Sequence, residues 1–114
     1  MHLRWPVVLY LVIFLSACSK NSTTQTDKAR APDAARGRRV YLANCTTCHN
    51  TNPSRPGVTG PAIKGSSKTL IEARVLRAGY PTGYSPKRKS SLMRAKPYLK
   101  STIPDLAAFL NSSP

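Results

Sequence analysis

The chain has 114 residues, and 18 lysines and arginines against four acidic residues give it a formal net charge of +14 at pH 7. The four acids (Asp27, Asp33, Glu72 and Asp105) form no paired-carboxylate arrangement, which argues against general acid–base catalysis. No internal repeat and no alternating strand pattern of useful length is evident, so the expected fold class is all-α.

The N-terminal segment has the pattern of an export signal. A weakly basic start precedes an apolar run, Trp5 to Leu15, that is too short to span a bilayer comfortably. We therefore expect residues 1–17 to be a signal peptide. The sequence Leu-Ser-Ala-Cys that ends at Cys18 resembles the bacterial lipobox, and this resemblance implies lipidation at Cys18.

The alternative is an ordinary secretory signal that leaves Cys18 as an odd free thiol. Both interpretations place the protein in the periplasm, and the first anchors it there through acyl chains on Cys18. Since Ser19 is not an aspartate, the usual sorting rule mildly favours the outer membrane. Residues 18–32 are rich in Ser and Thr and lack apolar periodicity, so we expect a flexible tether.

A single small domain is expected at residues 33–114, and a domain of this size benefits from a cofactor that staples its core. Asp33 can cap a first helix that runs through Asn44. One face of this helix would carry Gly37, Val40 or Tyr41, and Asn44.

The next five residues, Cys45-Thr46-Thr47-Cys48-His49, carry the attachment signature of c-type haem. Two cysteines at this spacing reach the two vinyl groups on one porphyrin edge and form thioethers. The histidine that follows supplies one axial nitrogen to the iron. The motif therefore predicts covalently bound haem c, held through Cys45 and Cys48, with His49 as an iron ligand.

Other interpretations of the motif account for less of it. A zinc site needs further ligands, and outside the motif the chain offers only Cys18 and His2. A Cys-x-x-Cys redox pair needs a thioredoxin-like βαβ context, which the sequence lacks. A disulfide or thiol pair between Cys45 and Cys48 stays open, but it leaves His49 unexplained.

The predicted first helix leads straight into this motif, and in that the chain resembles a small class I cytochrome c with one haem. The resemblance covers roughly residues 36 to 111. It implies helices packed around one covalently attached haem per chain and one-electron transfer as the activity. It also implies a close crossing of the first and last helices, where Gly37 and Phe109 match the family's glycine and aromatic residue.

The segment Gly57 to Gly65 resembles the family's Gly-Pro segment beyond the haem motif. By that match, the carbonyl of Pro61 accepts the Nδ1–H of His49 and fixes the orientation of the ring, as second-shell partners do at metals generally. The alternative is a plain turn, which Gly-Pro composition produces in many proteins.

Two more helices are expected after this segment. Thr69-Leu70-Ile71-Glu72 has capping-box spacing and Gly79 is a ready C-cap. The last helix begins near Thr102, has Pro104 in its first turn and ends near Asn111. Their predicted apolar faces are Leu70, Ile71, Val75 and Ala78 in one helix, and Leu106, Phe109 and Leu110 in the other.

Met93 is the candidate for the second axial ligand. Met1 and His2 are lost with the signal, so Met93 is the only methionine left, and it precedes the final helix as the family's distal methionine does. It differs from the family pattern because Arg94, not proline, follows it. A core methionine, a lysine ligand or an open iron site are the alternatives. Three tyrosines lie near Met93 in the sequence: Tyr80 and Tyr84 in the turn-rich stretch before it, and Tyr98 after it. They are candidates to pack on the haem or to hydrogen-bond to its propionates, and the alternative is that they are ordinary core residues.

Six cations surround Met93 and form what we call the basic set: Lys87, Arg88, Lys89, Arg94, Lys96 and Lys100. Beside an exposed haem edge they would steer an acidic redox partner by long-range attraction. A solvated basic surface or attraction to anionic lipid are the alternatives. Nucleic acid fits poorly, because the chain is exported and has no known binding module.

The sequence thus indicates a periplasmic electron carrier that is not itself an enzyme. Three rivals remain: a haem subunit of a larger oxidoreductase complex, an open iron that binds small molecules or peroxide, and a lipoprotein interaction module that carries a disulfide and no haem.

Overall fold

The computed structural model describes residues 30–113; the predicted signal peptide, Cys18 and residues 18–29 of the predicted tether lie outside that range. The described chain forms three α-helices, which are α1 (Ala34–Asn44), α2 (Lys68–Arg77) and α3 (Ile103–Asn111). A 3₁₀ helix (Pro97–Thr102) leads directly into α3, and residues 30–113 contain no strand. The predicted all-α fold is therefore confirmed.

Helix α1 begins and ends where the sequence predicts. The carboxylate of Asp33 accepts hydrogen bonds from the backbone N–H groups of Ala35 at 2.7 Å and Arg36 at 3.0 Å, so it satisfies two N–H groups that the first turn leaves unpaired. Gly37 and Tyr41, four residues apart, form the buried face.

The caps of α2 differ from the prediction. Ser67, not Thr69, is the N-cap, and its hydroxyl accepts from the backbone N–H of Leu70 at 3.2 Å. At the other end Ala78 adopts the left-handed conformation at φ 53°, although Gly79 would accept it with less strain. Arg74 accounts for part of this choice, because its guanidinium donates to the carbonyl of Ala78 at 2.6 Å.

Helix α3 buries more than its predicted face. Leu106 and Leu110 are buried as expected, and Phe109 packs against the core while partly exposed. Ile103 and Asp105 are buried as well, which the sequence did not predict. Proline at the second position of α3 agrees with the expected start.

The hydrophobic core lies where the three helices and the 3₁₀ helix meet. Its buried members are Tyr41, Ile71, Val75, Leu99, Ile103, Leu106 and Leu110. Among residues 30–113 we find no helix with the length and apolar character needed to cross a membrane.

Helices α1 and α3 cross at Gly37. A Cβ atom at this position would overlap the backbone carbonyl of Asp105 and would lie 2.9 Å from the Cβ of Phe109. The ring of Phe109 also packs on Tyr41, with centroids 5.3 Å apart and planes tilted by 48°. The close approach that the family resemblance implies is therefore made at Gly37, against the backbone of Asp105 as well as Phe109.

A charged network closes this crossing. The guanidinium of Arg36 donates to both carboxylate oxygens of Asp105, from Nε at 2.9 Å and from Nη2 at 3.0 Å, a bidentate geometry. The backbone N–H of Asp33 donates to the same carboxylate at 2.8 Å. These contacts tie the beginning of α1 to α3, and the hydrogen bond from Arg36 holds the pKa of Asp105 below its ordinary value.

We expect this network to make the domain sensitive to acid. A carboxyl group whose pKa is lowered by folding contributes stability that is fully present above its unfolded value, near 4, and is lost as the pH falls through the folded value. The variant Asp105→Asn should be less stable at pH 7 and should lose less stability between pH 4 and pH 2. Denaturant unfolding at a series of pH values measures both effects.

Glu72→Gln is the matched control, because Glu72 is a half-exposed carboxylate that forms no ion pair within residues 30–113. If the two variants show the same dependence of stability on pH, the role assigned to Asp105 is wrong.

Candidate functional site

A cavity of about 1030 Å³, counting the part open to solvent, lies between the helices and two loops. Apolar side chains from α2 and α3 line it, namely Leu70, Ile71, Val75, Leu106 and Leu110. Such a wall suits an apolar ligand.

The three chemically active residues of the five-residue motif reach this cavity from one short turn. The backbone N–H groups of Cys48 and His49 donate to the carbonyl of Cys45, at 3.2 Å and 2.9 Å, and so continue the end of α1 by one turn. Cys45, Cys48 and His49 all line the cavity, and both cysteines are free thiols. Burial raises the pKa of Cys45 to about 11, so its thiol is protonated at neutral pH.

The ring of His49 is held by the loop at residues 57–65, which we call the proximal loop. Its Nδ1 lies 3.0 Å from the carbonyl oxygen of Pro61, and because a carbonyl only accepts, Nδ1 carries the proton. The other ring nitrogen, Nε2, is then the one left to bind a metal. A Cβ at Gly60 would overlap the imidazole, so the loop packs directly against the ring.

The proximal loop is fixed to the motif through the backbone as well. The N–H groups of Thr59 and Gly60 both donate to the carbonyl of Cys48, at 3.3 Å and 2.9 Å. On the other side of the motif, the hydroxyl of Tyr41 donates to the carbonyl of Asn50 at 2.5 Å. His49 thus sits in a segment that is held at both ends.

The structure places Met93 in the wall of the same cavity as His49, partly buried and packed against the core. It belongs to the segment of residues 80–96, which we call the distal segment. Met93 also lines a second, neighbouring cavity together with Cys48 and His49. These positions agree with a ligand role for Met93, and its packing against the core agrees equally with the alternative of a core methionine.

The predicted aromatic residues separate into two groups. Tyr80 and Tyr84 line the cavity and stack on each other with centroids 5.4 Å apart. Tyr98 lies elsewhere, two-thirds exposed at 67%, and its hydroxyl donates to Asn44. Sequence reasoning missed Arg74, whose guanidinium lies 4.2 Å from the centroid of the Tyr80 ring in a cation–π contact. Its position three residues after Ile71 on α2 was the available signal.

The members of the basic set occupy different places. Lys87 and Arg88 line the first cavity, and Arg94 and Lys96 line the second. Lys89 and Lys100 are exposed and line neither of the two cavities. The structure therefore gathers four of the six predicted cations at the rims of the site.

These features fit a covalently attached haem. Two free thiols and an imidazole with a defined proton position share one wall of a mostly apolar cavity, and a thioether lies in another part of that wall. Within residues 30–113 no three His, Cys, Asp or Glu side chains cluster as a separate metal site.

Comparison with known proteins agrees with this geometry. The family model described as Cytochrome c matches residues 34–114, a range that holds the motif, the proximal loop and all three α-helices. No curated protein matches the chain.

Proposed function

Because the chain belongs to the cytochrome c family, we propose that it is a class I cytochrome with one haem that carries single electrons in the bacterial cell envelope. Family membership implies a covalently bound haem c and haem-based electron transfer. When bound, haem supplies an iron that cycles between the ferric and ferrous states. The residues described above would determine how that iron is held and which molecules can reach it.

The observation that carries the proposal is the arrangement around His49. Its Nδ1 proton is committed to Pro61 at 3.0 Å, and its ring shares a cavity with Cys45 and Cys48. A ligand that is fixed in orientation before and after electron transfer keeps the rearrangement small, which favours rapid one-electron exchange over catalysis.

Met93 completes the proposal as the second axial ligand. It is the remaining methionine of the proposed mature chain and lines the cavity that His49 lines. A methionine–histidine pair raises the reduction potential relative to two nitrogen ligands. It also closes the iron to outside molecules, which separates a carrier from an enzyme with an open iron.

We assign the basic set to an acidic redox partner. Four of its cations lie at the rims of the two cavities, where a positive potential steers a negatively charged protein towards the haem. This attraction weakens as salt rises. The rate of electron exchange with an acidic partner should therefore decrease as the ionic strength is raised from a low to a physiological value.

The visible absorption spectrum of the exported protein tests the central proposal. A c-type α-band on reduction establishes the haem, and a weak far-red band in the oxidised state is the mark of a methionine–iron bond. A c-type spectrum without the far-red band would keep the haem and remove Met93 as a ligand. Absence of haem absorption, in a host able to attach haem c, would overturn the proposal.

The membrane anchor is proposed from Cys18 alone. We expect Cys18→Ala to release the protein from the membrane fraction into the soluble periplasm, because acyl chains on this thiol would be the anchor. Cell fractionation followed by mass spectrometry of the mature N-terminus measures both location and lipid. A wild-type protein that begins elsewhere or carries no lipid would contradict the anchor and leave the haem proposal intact.

A further inference from the structure

The distal segment is fixed to α2 at its two ends. At its beginning, Arg74 covers the ring of Tyr80, which stacks on Tyr84. At its end, the backbone N–H of Lys96 donates to the carbonyl of Val75 at 2.6 Å. The stretch that supplies Met93 is suspended between these two attachments.

The middle of the distal segment makes few backbone hydrogen bonds. Within the described chain, the N–H groups of residues 85–95 donate to no other element, and the one bond they make is local, from Leu92 to the hydroxyl of Ser90. Leu92 itself is 66% exposed. A stretch with few backbone bonds and little burial opens at low cost in free energy.

Two side chains of the basic set make the missing connection. The ammonium of Lys87 donates to the carbonyl of Ala62 at 3.0 Å, and the guanidinium of Arg88 donates to the carbonyl of Thr59 at 2.8 Å. Both acceptors belong to the proximal loop and flank Pro61, which holds His49. The two cations thus join the distal segment to the loop that orients His49.

We propose that Lys87 and Arg88 are positioning residues that keep the distal segment closed and so keep Met93 at the iron. The inference rests on the proposed ligation by Met93. It adds to the steering role of these two cations, because each makes one hydrogen bond to the proximal loop and keeps its positive charge and its other donors. Lys89, the next residue, is exposed and makes no such bond to the described chain, so adjacency and charge alone do not confer this role.

The test uses the oxidised holoprotein and three variants: Lys87→Met, Arg88→Met and Lys89→Met. Each removes one positive charge and keeps an apolar stem. Imidazole binds ferric haem only when Met93 has left, so its apparent affinity reports the open fraction of the segment. We expect Lys87→Met and Arg88→Met each to raise that affinity about fivefold, the effect of losing one exposed charged hydrogen bond, and Lys89→Met to leave it unchanged.

Global stability, measured by unfolding followed by circular dichroism, should fall by no more than this same factor of about five in Lys87→Met and Arg88→Met, because the lost bond stabilises the closed form relative to both the open and the unfolded forms. It should be unchanged in Lys89→Met, whose side chain is exposed. Unchanged imidazole affinity in Lys87→Met and Arg88→Met would overturn the proposal. An equal rise in all three variants would overturn it too, since that would be an effect of net charge.

Hydrogen exchange of the amides at residues 85–93 gives a second readout that does not depend on Met93. Faster exchange in Lys87→Met and Arg88→Met than in Lys89→Met supports the tie, and equal exchange contradicts it. If the wild-type protein lacks the far-red band, ligation by Met93 fails, while the exchange rates still decide whether the two cations hold the segment.

Discussion

Replacing Gly37 by alanine is expected to destabilise the folded protein by about 2 kcal/mol, the middle of the range for overpacked cores. The new Cβ would overlap the carbonyl of Asp105 and crowd the Cβ of Phe109, so α1 and α3 must move apart. The better helix propensity of alanine, up to about 1 kcal/mol, offsets only part of this cost. For a domain of this size the loss amounts to a fall in Tm of roughly 8–16 °C.

Thermal and denaturant unfolding of the holoprotein measure this change. Gly79→Ala is the matched control, because a Cβ there would meet nothing within 4 Å and the backbone is not left-handed. Equal stability of the two variants would show that the helix crossing is looser than the structure has it.

Replacing Met93 by alanine is expected to abolish the far-red band and to lower the reduction potential by on the order of 100 mV. A neutral thioether favours the ferrous iron, and its loss leaves the position to water or to a stronger donor. The covalent haem and its c-type α-band should remain, since Cys45, Cys48 and His49 are untouched.

Redox titration and oxidised-state spectra of Met93→Ala, compared with Val58→Ala, measure the effect. Val58 is almost fully exposed and lines neither cavity, so its loss should leave both the band and the potential near the wild-type values. A Met93→Ala protein with an unchanged potential would mean that another group holds this position at the iron.

The helices could be predicted because their signals are local. Asp33 is followed by a run of helix formers, and Pro104 and Asn111 mark a beginning and an end that depend only on neighbouring residues. The caps of α2 were predicted wrongly because several candidates lie close together. Ser67 and Thr69 both have a capping hydroxyl, and the choice of Ala78 over Gly79 depends on the contact with Arg74.

Burial of Asp105 could not be predicted from the sequence, because it depends on a pairing across the fold. On α3 alone an acidic residue in the first turn indicates an exposed position that favours the helix dipole. Only the crossing with α1 brings Arg36 to its carboxylate and makes burial tolerable.

The candidate site divides in the same way. The five-residue motif specifies its chemistry within one turn, so Cys45, Cys48 and His49 were accessible from the sequence. The hydrogen bonds from Lys87 and Arg88 to the proximal loop join residues 25 and 29 positions apart, and no local pattern encodes them. From the sequence alone, Lys87 and Arg88 could therefore not be distinguished from the other four cations of the basic set.

The crossing of α1 with α3 also bears on how the chain reaches its native state. The two helices are the first and last of the described domain, so their meeting closes a loop that contains the motif, α2 and both loops around the cavity. Closing a loop of this length lowers the conformational entropy of the chain before the contacts between α1 and α3 form to offset that cost, and this slows folding. Ile103, Leu106 and Leu110 join the core only when α3 packs against the other helices, so the hydrophobic core is incomplete until this last helix is in place.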